Sequence, residues 1–253
     1  MNIKNHYYSK YIFLLSGLFI IWFILFEFIL PPNLFLPKPS IVALSIISLF
    51  QDYQFLFNTF SSISALYISS ISAGIFIWIL KRYLFNYKNL VGYLALFLKW
   101  ISGIVPGILM GLFLILWFPN TEFSKYIFIF FSCFIYLFYI IEVELKKVNN
   151  EFIDAAVSLG AGDKFIFDKV RWKIIEPAVA ESLKDIHFHL WSILIVFEFI
   201  KGGSGLGSII RTALMFKDLA GLLVYVVIIS LLILVGASII NYFKNKIFFW
   251  SIN

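Results

Sequence analysis

This 253-residue chain has little charge and a single cysteine. Asp, Glu, Lys and Arg together make up 13% of it, about half the roughly 25% usual in a soluble domain. Too few charged side chains remain to cover a water-facing surface, so a soluble globular class is excluded. The single cysteine, Cys133, sits inside an apolar run. It excludes a disulfide framework and a cysteine metal site, and reads as a packed membrane thiol. No stretch spells G-x-x-x-x-G-K-[ST], so the chain does not hydrolyse ATP alone. No basic run is interleaved with aromatics, so the net charge of +6 does not mark a nucleic-acid face.

What fills the chain instead is apolar: 62% of residues, with aromatics at 20%. The apolar residues fall into long runs near the ~20 residues that cross a bilayer. Six spans are expected, at about 11–30, 55–80, 101–118, 126–145, 178–200 and 219–243. The run 11–30 is too long for a signal-peptide core and no small-residue cleavage site follows, so it is read as a retained span. Glu27 near its end reads as an interfacial or packed carboxylate. Pro31-Pro32 and the Leu36-Pro37-Lys38-Pro39-Ser40 stretch stop that helix, and 41–50 suits a short helix at the membrane surface. Leu90 to Trp100, with Lys99, reads as interfacial. Pro106-Gly107 and Gly111 loosen the third span, which neighbouring helices can tolerate. The fold class is all-α, a polytopic membrane protein of one transmembrane domain over 1–253, because helices satisfy their own backbone hydrogen bonds in lipid.

Lys and Arg are distributed unequally between the two sides. Thirteen fall with the chain ends, from Lys4 and Lys10 through Lys81, Arg82, Lys88 and the 146–173 interval to Lys244 and Lys246. Five fall opposite, namely Lys38, Lys125, Lys201, Arg211 and Lys217, while Lys99 and Lys184, close to the cytoplasmic ends of their spans, are counted with neither side. Both termini, and the loop at 146–177, are therefore expected in the cytoplasm.

That loop holds the longest polar interval, 149–177. Read as a helix, residues 151–160 place Phe152, Ala155, Ala156 and Leu159 on one narrow apolar stripe. Glu151 and Asp154 lie in its first turn, at the positive end of the helix dipole. Gly160 is expected as a left-handed cap, and Asp163 as the cap of a second amphipathic run through Phe165, Ile166 and Val170. A stripe built around two alanines suits docking into a partner's groove better than burying a large core face.

At these residues the chain resembles the cytoplasmic "EAA" loop of binding-protein-dependent ABC importer permeases, in their nitrate/sulfonate/taurine branch. The match runs through Glu151, Asp154-Ala155-Ala156, Gly160 and Pro177. Asp154 stands where glutamate is usual, and Trp172-Lys173 where Leu-Pro is usual. The Leu-Pro-x-Pro-Ser stretch, 105–118, and Ser204-Gly205-Leu206-Gly207 with Glu198 ahead of it are similar to the same branch, which has an arginine near Ser62 that this chain lacks. The resemblance covers about 30–243.

It implies a type I importer permease with six spans and a coupling helix, in a bacterial inner membrane, carrying a small solute. Glu151, Asp154, Ala155, Ala156, Leu159 and Gly160 would couple to a cytoplasmic ATP-binding subunit, present in two copies. A second permease copy, identical or similar, would complete the pathway, and an external substrate-binding protein would deliver substrate. The branch suggests small anions, while relatives also move neutral and aromatic vitamin precursors. No cofactor, metal, catalytic residue or nucleic acid is implied. The alternative is a secondary transporter or channel not driven by ATP; it calls for two inverted halves, and no internal repeat is present. An intramembrane enzyme using His187, His189 or Glu198 would need a nucleophile–base pair that the sequence does not offer.

The serine-rich second span, which includes Ser62 and Ser69, reads as close helix packing or as a hydroxyl-lined pathway. In the fifth span, Glu181, Asp185, His189 and Ser192 share one face, and Lys184, His187, Trp191 and Glu198 another. Ionisable groups at such depth face a bundle interior or a wet cavity, unless the first of them still lie in the cytoplasm. Ser62, Ser69, His189, Ser192 and Glu198 are the candidate pathway residues. His187 and His189, two apart, do not share a face and form no helical metal pair. Gly202 to Gly207 lacks the lysine and hydroxyl of a phosphate-binding loop.

Overall fold

A computed structural model of the chain describes residues 3–31, 36–85, 90–105, 107–119 and 121–249. Pro32, Lys88, Pro106 and Asn253 lie outside them, as do the side chains of Lys4 and Lys10. Among the described residues every regular element is helical. In order they are α1 Ile3–Ile24, closed by a π-turn Leu25–Ile29, then α2 Pro39–Gln51, α3 Phe55–Leu84, α4 Leu90–Ile104, α5 Gly107–Trp117 and α6 Phe123–Lys147. They continue as α7 Asn150–Ser158, α8 Asp163–Phe165, a π-segment Ile166–Arg171, α9 Trp172–Lys201, α10 Leu206–Met215 and α11 Leu219–Ile247.

Three of these, α3, α6 and α11, are each long and apolar enough to cross a membrane. Two bent pairs raise the number to as many as five: α4 with α5, at 103°, and the helical run Asp163–Lys201 with α10, at 50°. Ser16–Ile29 and Pro39–Gln51 are shorter apolar stretches. The expected continuous third span at 101–118 is instead broken, one helix ending at Ile104 and the next starting at Gly107. The helix that contains the expected fifth span, 178–200, begins at Trp172, so Pro177 lies inside it. Proline costs a helix one hydrogen bond, and the run from Asp163 accommodates it.

The chain divides into two compact units. The first comprises 1–56 and 209–230. There the Glu27 carboxylate accepts from the Ser40 backbone N–H at 3.2 Å, at the start of α2, where Pro39 opens the helix. A carboxylate at a helix N-terminus satisfies an orphan donor and the dipole together. Asp218 does the same for α11, accepting from Gly221 N–H at 2.8 Å and from the Tyr53 hydroxyl at 2.9 Å. Leu49, Phe55 and Tyr225 are buried at the unit's centre, Phe55 edge-on to Tyr225 at 6.1 Å.

The second unit comprises 57–208 and 231–253, and α6 packed along α9 is its spine. Ile129, Cys133, Leu137 and Ile141 recur on the buried face of α6, and Ile186, Leu190, Leu194 and Phe197 on that of α9. Both sets keep the near-four-residue spacing of a single helix stripe. Phe128 and Phe197 stack at 4.7 Å. Gly111 of α5 lies against that pair, where a Cβ would come within 3.1 Å of both rings. On α3, Ser62, Ala65, Ser69 and Ala73 are buried, the small-residue spacing that lets helices approach closely in lipid.

Candidate functional site

The polar interval folds into a short helix finished at both ends by its own residues. Asn149 caps α7, its Oδ1 accepting from the Glu151 backbone N–H at 3.0 Å, and its amide also donates to the Glu151 carboxylate at 3.0 Å. At the other end Gly160 takes φ +80°. Its N–H bonds the Val157 carbonyl at 2.8 Å, and Ala161 N–H bonds the Ala156 carbonyl at 3.0 Å. These are the two bonds of a Schellman cap. No atom lies within 4 Å of where a Gly160 Cβ would stand, so conformation rather than space requires glycine here.

Between the caps, Ala156 is buried and Ile153 partly so, turned toward the rest of the chain. Phe152, Val157 and Leu159 are exposed, Leu159 by 88%, and Glu151, Asp154 and Ala155 are exposed with them. The expected stripe is therefore divided: Ala156 faces inward, and Phe152, Ala155 and Leu159 face out. Beyond it, Gly162 occupies the cap position expected for Asp163, which becomes the first helical residue. Asp168 in the following π-segment pairs with Arg82 at the end of α3, and the guanidinium's hydrogen bond holds its carboxyl below the usual aspartate range.

A second polar cluster is buried at the opposite end of α9. The Glu198 carboxylate accepts from the Ser62 hydroxyl at 2.7 Å and 2.8 Å and from the Gly207 N–H at 3.0 Å. Ser62 Oγ in turn accepts from Leu206 N–H at 2.8 Å, and Asn58 Oδ1 accepts from Gly205 N–H at 2.7 Å. Segment 202–208 thus doubles back onto the end of α9. Gly202, Gly203 and Gly205 take positive φ to do it. At Gly207 the requirement is space, since a Cβ would lie 2.1 Å from the Ile195 carbonyl oxygen. These glycines form a packed corner, in keeping with the absence of a phosphate-loop pattern.

Beside this corner is a residue that sequence reasoning passed over. Lys125, counted above among the five loop charges opposite the chain ends, belongs to α6, and its side chain is only 1% exposed. Its ammonium donates to Ser61 and Ser204 and pairs with Glu122 at 2.7 Å. Burial pushes the Glu122 carboxyl up, but hydrogen bonds from Lys125 and Ser204 and the charges of Lys125 and Lys201 outweigh it and hold the group below the usual range. The sequence signal available was Glu122 three residues before Lys125 at the head of an apolar run. Glu142 was missed as well: it is buried in α6 and accepts from Lys99 of α4 and from Lys146.

Of the candidate pathway residues, Ser62, Ser69 and Glu198 are buried within the second unit, and Ser69 donates to the Tyr126 carbonyl at 2.9 Å. His189 borders open space: its ring lies 4.3 Å from that of Tyr136, and both line a cavity of about 530 Å3 with Lys99, Ser132 and Tyr139. Ser192 is exposed and bonds back to the Phe188 carbonyl at 3.0 Å. His187 faces the other way, buried against the Ile233 carbonyl at 3.0 Å. The described residues contain no cluster able to hold a metal ion.

Compared with known proteins, residues 70–249 match the family described as binding-protein-dependent transport system inner membrane component. No curated protein matches the chain significantly.

Proposed function

The chain belongs to the binding-protein-dependent transport system inner membrane components, and from that membership we propose that it is the permease subunit of an ATP-driven importer. In this reading it crosses the membrane six times with both termini in the cytoplasm. Two copies, or one copy and a similar partner, enclose the pathway, and an external binding protein supplies a small solute. On the cytoplasmic side α7 docks into a groove on an ATP-binding subunit, one for each permease. Closure of the two ATP-binding subunits draws the docked helices together and turns the pathway outward, a rigid-body alternation biased by ligand.

The observation that carries this reading is the uncovered face of α7. The caps fix the ends of α7, and Ala156 and Ile153 pack it inward, yet the helix presents Phe152 and Leu159 outward on one face in the most polar loop of the chain. Leaving such side chains in water forgoes roughly 1.5–3 kcal/mol each, which a partner's groove would recover. Glu151 and Asp154 border the face and offer it charge complementarity.

Ala155→Arg tests the reading, since Ala155 is on the exposed side and its change leaves the inward packing of Ala156 alone. The variant should insert in the membrane at normal level and fail to co-purify with the ATP-binding subunit. An intact complex would sink the docking assignment.

A further inference from the structure

The end of α3 and the run from Asp168 to Glu176 enclose a cleft of about 650 Å3. Its walls differ in kind. On one side stand Trp78, Ile79 and Tyr83, each more than half exposed; on the other are Lys169 and Lys173, both exposed. Between the walls Lys81 is held over the Trp172 ring at 4.5 Å and near that of Trp78 at 5.6 Å. Trp172 and Lys173, at which the loop departs from the pattern it resembles, both line this cleft.

The charges do not cancel. Arg82 pairs with Asp168, and Lys173 with Glu176 at 2.7 Å. That leaves the cationic charge of Lys81 and Lys169 in excess. Lys81 approaches Asp168 Oδ1 only to 3.9 Å, and that oxygen is buried with no hydrogen-bond donor among the described residues. The cleft therefore offers excess positive charge, a partly exposed carboxylate at Glu176, and an apolar aromatic wall.

We propose that this cleft binds the headgroup of an anionic phospholipid whose phosphodiester ends in hydroxyl groups, of the phosphatidylglycerol kind. The excess cations meet the phosphate. The headgroup hydroxyls would donate to the partly exposed Glu176 carboxylate, which lines the cleft beside Lys173. Trp78 and Tyr83 are the amphipathic rings that settle at headgroup depth, and Ile79 lies beside the acyl chains. Free phosphate shares the anionic chemistry but has no use for the apolar wall, which favours the lipid. The inference rests on the orientation proposed above, with the cleft facing the cytoplasmic leaflet. A lipid bound there would touch both the end of α3 and the segment that leads from α7 into α9.

The test uses the purified complex of permease and ATP-binding subunits, with retained lipid counted by native mass spectrometry. Phosphatidylglycerol, phosphatidylcholine and inorganic phosphate are offered separately and in competition. The wild type should retain phosphatidylglycerol over phosphatidylcholine, and inorganic phosphate should not displace it. Lys169→Gln combined with Lys173→Gln removes two exposed charges and leaves Lys81 on Trp172. It should lower that preference at least about fivefold, whereas Lys147→Gln with Lys246→Gln, the same loss of charge outside the cleft, should not. No preference in the wild type, equal loss in both double variants, or displacement by inorganic phosphate would each overturn the proposal. A Lys169→Cys variant, labelled by an impermeant thiol reagent, checks the orientation separately. Labelling from outside intact cells would refute the topology and with it this leaflet assignment, while the binding counts in detergent do not depend on sidedness.

Discussion

The two ends of the α9 region handle polar groups and glycine in opposite ways. Around Glu198 the chain closes on itself: Ser62, Asn58 and the backbone N–H groups of Gly205, Leu206 and Gly207 bond one another or the carboxylate. Glycine there makes room for a close approach. Around α7 the chain completes the helix ends and packs Ala156 and Ile153 inward, leaving Phe152 and Leu159 uncovered. Glycine there supplies only a left-handed φ in open space. The corner is satisfied within one chain, whereas α7 is packed on one side only, and the proposed docking would cover the other.

That contrast orders the effects of substitution. Gly207→Val should do most damage, because its Cβ would meet backbone atoms, the Ile195 oxygen at 2.1 Å and the Phe199 nitrogen at 2.6 Å, which cannot swing aside. We expect a loss at the top of the about 1–3 kcal/mol range for overpacking or beyond it, read as a lower thermal midpoint in detergent or as loss of inserted protein. A midpoint unchanged from wild type would mean that the corner is loose.

Glu198→Ala comes next. It strands the Ser62 hydroxyl and the Gly207 N–H in a buried place, at about 1–3 kcal/mol for each unsatisfied group. Glu198→Gln keeps an accepting oxygen and should recover part of the loss. Equal midpoints for the two variants would show that the hydrogen bonds contribute nothing.

Gly160→Ala should be milder and local. Its Cβ meets no atom within 4 Å, so the cost is the roughly 1–2 kcal/mol of a left-handed conformation, and the thermal midpoint should move little. Substrate-stimulated ATP hydrolysis in the reconstituted complex should nevertheless fall steeply, because the turn aims α7. Leu159→Ser should change stability least, by about 0.5 kcal/mol at most, since that side chain is 88% exposed. Its effect should appear as weaker retention of the ATP-binding subunit.

The same contrast explains what was legible in the sequence. Local features were: the apolar runs, the helix expected at 41–50 and found at Pro39–Gln51, the left-handed Gly160, and the separate faces of His187 and His189 all follow from spacing and residue type. Features made by chain approach were not. Ser62 and Glu198 are 136 residues apart, and nothing in either neighbourhood names the other. Lys125 looked like a loop charge because hydropathy weighs a lysine by its type and not by the three partners that surround it. The break between α4 and α5 and the inward turn of Ala156 likewise depend on which neighbour each helix meets, and a single helix pattern does not carry that.

The most direct test of the central claim is a cross-link from the uncovered face. Cys133 is buried, so a Leu159→Cys variant carries one accessible thiol and can be joined in native membranes by a short bifunctional reagent. The account predicts an adduct with the ATP-binding subunit, with a yield that changes when ATP is added, and no adduct with the external binding protein. A thiol that cross-links to no ATP-binding subunit while the purified complex still transports solute would contradict it.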